Sequence, residues 1–109
     1  MPKVFIINKG RHNYTDAEKY GELVSVSEGS IDKYNPDKIY RDFYEVLNNS
    51  TPEDFLLLSG LALVNSIATG IMVALHGKVN YLIFHQRKSN YIKKDLTFIE
   101  TVEAKDAPE

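Results

Sequence analysis

FLLLSGLALVNSIATGIMVAL, residues 55–75, contains no charged side chain and is nominally long enough to cross a bilayer, so its reading decides the fold. Ser59-Gly60 divides it. Before the break, Phe55-Leu56-Leu57-Leu58 is a short continuous apolar run, the mark of a strand buried on both faces. After it, Val64, Ile67, Ala68, Ile71, Met72 and Leu75 recur at i, i+3, i+4 and i+7, and Gly77 supplies a stop. Asn65, Ser66 and Thr69 fall together on another side, which a lipid-facing helix would not tolerate. The stretch reads as a buried strand followed by an amphipathic helix, with no membrane partner.

The same grammar extends in both directions. Val4-Phe5-Ile6-Ile7 is a second buried run, ended by Asn8-Lys9-Gly10. Thr15-Asp16-Ala17-Glu18 has the form of a capping box, predicting one or two helical turns closed by Gly21 in the left-handed conformation. Leu23 to Ser27 alternates as a half-buried strand does. Asn35 and Pro36 open a helix with Ile39, Tyr40, Phe43, Val46 and Leu47 on one face. Val79 to Phe84 is a third apolar strand, turning at Gln86–Asn90 into a last, one-sided strand over Tyr91 to Phe98. Buried strands alternating with helices predict an α/β fold: a small three-layer, Rossmann-like domain with a mostly parallel sheet, helices on both faces and a C-terminal hairpin. Residues 1–99 are expected to form one domain, followed by an acidic, disordered tail over 100–109.

Composition excludes several classes of function. A chain of 109 residues with 43% hydrophobic and 26% charged residues needs no metal or disulfide to fold. It has no cysteine, so thiolate chemistry, disulfides and cysteine-based zinc sites are excluded. A formal net charge of −2 is wrong for a sequence-independent DNA binder. The N-terminus has no secretory pattern, and a cytoplasmic location is expected.

Ligands of open α/β sheets bind beyond the carboxyl ends of the parallel strands. Three such ends carry polar residues: Asn8, Lys9, Gly10, Arg11, His12, Asn13 and Tyr14; Ser59 and Gly60; and His85. Gly10 and Gly60 would let backbone amides approach a ligand. Ser59-Gly60 precedes a helix whose free N–H groups favour an anion. Lys9 and Arg11 supply cations, His12 and Tyr14 flat surfaces, and Asn8 and Asn13 paired donors and acceptors. The expected ligand is a small anion of the nucleotide type. Neither G-x-G-x-x-G nor G-x-x-x-x-G-K-[ST] is present. His12, His76 and His85 are too dispersed to hold a metal, and no cofactor is expected. No nucleophile elbow or triad is present, which favours binding over catalysis; Glu28 and His85 are the acid–base candidates of an alternative, nucleotide-modifying reading. Ala62, Asn65, Ser66, Thr69 and Val73 make an uncharged helix side that suggests a second subunit, hence a homo-oligomer.

Phe5-Ile6-Ile7-Asn8-Lys9-Gly10, His12-Asn13-Tyr14-Thr15-Asp16-Ala17 and Gly21-Glu22-Leu23-Val24 resemble a family of small accessory proteins of tailed bacteriophages. So do Glu28-Gly29-Ser30-Ile31-Asp32-Lys33 and Pro52-Glu53-Asp54, and the resemblance covers most of residues 4–96. It transfers no assigned activity. It implies an anti-defence protein acting in the host cytoplasm, sequestering a nucleotide immune signal without cleaving it. A protein-binding inhibitor of a host factor is the alternative that the same lifestyle suggests.

Overall fold

The computed structural model describes residues 1–98. The tail expected over 100–109 lies outside the described residues. The chain runs β1 (Lys3–Ile6), a 3₁₀ segment (Thr15–Tyr20), β2 (Glu22–Ser25), α1 (Pro36–Leu47), β3 (Phe55–Leu57), α2 (Ala62–His76), β4 (Lys78–His85) and β5 (Asn90–Thr97). The five strands form one sheet in the order β2-β1-β3-β4-β5. β1 pairs in parallel with β2 and β3, and β3 in parallel with β4; β4 and β5 form the antiparallel hairpin. Among the described residues, no helix is long and apolar enough to cross a membrane.

The buried runs are continuous because both sides of the central strands are covered. Alternate side chains point to opposite faces of a strand. Phe5, Ile7, Leu56 and Val79 pack with Phe43 and Leu47 of α1 and Val64, Ala68, Ile71 and Met72 of α2. Val4, Ile6, Phe55, Leu57 and Leu82 point the other way and pack with Tyr14, Ala17 and Tyr91.

The sheet grows from β1 to β2 in one direction and from β2 past β1 to β3 and β4 in the other. Right-handed crossovers then put the first connection on one face and the next two on the other. Both α-helices accordingly share one face. The opposite face has only the six-residue 3₁₀ segment, so the domain is a mixed α/β fold with its two α-helices on one side of a five-stranded sheet. The expected Rossmann-like arrangement with three full layers is not what forms: residues 7–14 of the β1–β2 connection are irregular, which leaves only Thr15–Tyr20 to cover the second face.

The local signals are realised unequally. Asn35 Oδ1 accepts the Lys38 N–H at 3.3 Å and Pro36 begins α1, as expected; Gly77 ends α2 at φ 73°. The Thr15–Glu18 capping box does not form. Asn13 Oδ1 instead accepts the Thr15 N–H at 2.9 Å and the Thr15 hydroxyl, placing Thr15 inside the segment. Gly21 stops that segment at φ 155° and ψ −179°, a positive-φ conformation open essentially to glycine alone, and not in the left-handed helical one.

Candidate functional site at the carboxyl edge of the sheet

β1 and β3 are neighbours in the register Ile6↔Leu57, and the Ile7 N–H donates to the Leu57 carbonyl at 3.2 Å. Asn8 and Ser59 therefore leave the sheet side by side at the same edge. This is also where the strand order reverses, with β2 on one side of β1 and β3 on the other, so the two connections leave on opposite faces, the position at which open α/β sheets generally hold their ligands.

Asn8-Lys9-Gly10 is not a free turn. The Lys9 N–H donates to the Ser27 carbonyl at 2.7 Å, and the Gly29 N–H to the Lys9 carbonyl at 3.2 Å, prolonging the β1–β2 pairing. The Ser27 hydroxyl lies 2.7 Å from the Ile7 carbonyl and 2.9 Å from Asn8 Oδ1. One hydroxyl hydrogen serves only one of these acceptors; turning the Asn8 amide over presents Nδ2–H to the Ser27 oxygen and satisfies both. The Gly10 N–H donates to the Tyr14 hydroxyl at 3.0 Å. Tyr14 is buried, so its ring belongs to the core and reaches the edge only through that hydroxyl. His12 is exposed, its ring edge-on to Tyr14 at 6.0 Å. Lys9 and Arg11 are exposed, and among the described residues neither forms an ion pair.

On the β3 side, Asn65 clamps the strand end. Its Oδ1 accepts the Ser59 N–H and its Nδ2 donates to the Ser59 carbonyl, both at 2.9 Å. The Ser59 hydroxyl accepts the Leu61 N–H at 2.9 Å. Leu61 occupies the N-cap position of α2 and contributes no capping side chain, and the first intrahelical bond runs from the Asn65 N–H to the Leu61 carbonyl. The amides of Ala62, Leu63 and Val64 precede that bond, leaving the positive end of α2 unneutralised beside Gly60, which is exposed with open space where a Cβ would be.

The register thus sets the ends of β1 and β3 side by side at Asn8 and Ser59, with Lys9, Gly10 and Arg11 following the one in the chain and Gly60 the other. His85 stands at the same end of the sheet, one strand further from β1 than Ser59. It ends β4, with β3 between it and β1, and its Nδ1 accepts the Lys88 N–H at 3.3 Å inside the hairpin turn. His76 is far along α2, its Nε2 2.9 Å from the Ser50 hydroxyl. Glu28 is exposed and pairs backbone to backbone with Lys9. It also borders a cavity of about 380 Å³ between the end of β2 and the start of α1, shared with Ser27, Asp32, Asn35, Lys38 and Asp42. Sequence reasoning missed Ser27 and Asn65 as the residues that hold the two strand ends. Ser27 closes an alternating run and Asn65 looks like one more polar helix residue, so only the folded contacts give them this role.

The family described as Phage Pam3 gp32-like protein matches residues 2–98, nearly the whole of what the structure describes. No curated protein and no solved structure matches the chain. The resemblance carried by Phe5–Gly10, His12–Ala17 and Glu28–Lys33 is therefore one of family: the chain belongs to the Phage Pam3 gp32-like proteins.

Proposed function

We propose that this phage protein binds a small anionic ligand of the nucleotide type at the carboxyl edge of β1 and β3, and holds it without cleaving it. The observation that carries the reading is the reversal of strand order between β1 and β3, with Lys9 and Arg11 on one side and the uncapped start of α2 on the other. Arg11 offers a planar pair of donors to a phosphate, and the α2 amides offer a second set. One end of the Asn8 amide is held by the Ser27 hydroxyl, and its other end is left to match a base edge. In a phage protein, the fitting role is sequestration of a nucleotide signal made by host defence.

The test is calorimetric titration with mono-, di- and cyclic nucleotides, with inorganic phosphate for comparison, followed by mass analysis of the recovered ligand. Binding of a nucleotide recovered intact is expected. Arg11→Ala is expected to weaken it about tenfold, the loss of one charge-assisted contact. Arg11 is exposed, so the melting temperature should move by no more than about a degree or two. Affinity unchanged by Arg11→Ala removes the site from this edge, and a chemically altered product replaces sequestration with catalysis.

A further inference from the structure

The β3–β4 crossover brings α2 over the sheet, but β4 continues into β5 by a hairpin and not by another helix. Nothing in residues 1–98 therefore covers the α2 side of the hairpin. An open groove of about 750 Å³ results, floored by Tyr81 and Ile83 and bounded by Gly70, Val73 and Phe98. Ser66, Gly70 and Ala74 form the low crest of α2, and beyond them Tyr40 and Tyr44 of α1 border a second groove of about 400 Å³. The two grooves share that crest and make one continuous face.

We propose that this face is a two-fold interface between copies of the chain. Tyr40, Tyr44, Leu75, Ile83, Leu96 and Phe98 are each between 38% and 49% exposed. At about 150–250 Å² for a large apolar side chain, they present on the order of 500 Å². With the crest of α2 between them the face approaches the roughly 800 Å² that each partner gives to a stable interface. It exceeds what residues 99–109 offer, whose large apolar side chains are Ile99 and Val102. The shape is self-complementary. A two-fold axis running along α2 exchanges left and right, setting Tyr40 and Tyr44 of each copy over the hollow of the other. Small side chains at Ser66, Gly70 and Ala74 let the two helices approach closely. The interface keeps Ser66 and Val73 of the uncharged side expected from sequence, but its polar groups are already engaged within the chain: Asn65 is committed to Ser59, and the Thr69 hydroxyl lies 2.8 Å from that of Tyr81. Lys94, cross-strand from Tyr81, is exposed, and its long stem allows the charged end to reach the rim of such an interface.

Sedimentation velocity of the full chain across micromolar concentrations tests this. The wild type is expected to sediment as a dimer and Gly70→Arg as a monomer. A Cβ at Gly70 meets nothing within 4 Å, so the variant should fold, as far-UV circular dichroism will report. Ser66→Arg, one turn away and also exposed, serves in its place if it does not. A monomeric wild type overturns the proposal and leaves the face to a protein of another kind or to the chain's own end. A dimer that survives both substitutions overturns it as well. The anion reading is separate, because Lys9 and Arg11 are untouched by either substitution.

Discussion

Pro2 leaves no room for a side chain at residue 21. A Cβ built on Gly21 would overlap the Pro2 carbonyl, while the neighbouring Glu22 N–H donates to that same carbonyl at 3.2 Å. The close approach starts the pairing of β2 with β1, so the glycine is required by its neighbour and not by the helix it ends. Gly21→Ala should cost more than about 2 kcal/mol, because the clash is with backbone that cannot swing aside. Urea denaturation monitored by circular dichroism will measure it, and a change below half that value would show that the amino-terminal segment can move away. The Tyr14 hydroxyl works at the same scale, holding the Gly10 amide that closes the strand end. A ligand-stacking role for the Tyr14 ring is difficult to combine with its burial.

The junction of β3 and α2 shows how an element is held in register. Asn65 makes two hydrogen bonds to the backbone of Ser59, and these fix the angle at which α2 leaves the sheet. Asn65→Ala removes both and leaves the Ser59 amide and carbonyl short of partners. The expected loss is about 1–3 kcal/mol, with faster amide exchange at Ser59 than at Leu57. Equal exchange at the two positions would show that the clamp is redundant. The asymmetry of the helices also belongs here. α1 has Asp37, Lys38, Arg41, Asp42 and Glu45 among its residues, whereas α2 has no Asp, Glu, Lys or Arg. Both helices present an exposed side, so the contrast lies in what each side is chemically fit to meet.

Across the whole molecule, the first and last segments meet at Tyr91. The Tyr20 hydroxyl donates to the Tyr91 carbonyl at 3.3 Å, and the Tyr91 ring packs with Tyr14, Ala17 and Leu82. Burial, and then the negative charges of Tyr14 and Asp16, push the Tyr91 phenol up from its ordinary value. A raised acid in the folded state means that the unfolded chain ionises first. The stability it contributes is complete below pH ~10, the unfolded value, and is lost as pH rises through the folded one. Tyr91→Phe should flatten the alkaline fall in stability above pH ~10, read as melting temperature against pH; an identical fall would assign the effect to other groups. Much of this architecture was legible beforehand. The apolar runs 4–7, 55–58 and 79–84, the Asn35-Pro36 start and the Gly77 stop each state a local preference strong enough to survive folding. The capping box at Thr15 did not survive, since Asn13 competes for the same amide from outside the segment. The strands and the two helices could be placed from local spacing because hydrophobic periodicity and capping act over a few residues, while the family rests on the resemblance of its motif stretches. That both helices share a face, that Ser27 and Asn65 hold the strand ends, that His85 bonds into the hairpin turn and that the hairpin leaves a face open emerged only on folding. Those outcomes depend on which strands become neighbours, and pairing across fifty residues leaves no trace in local spacing.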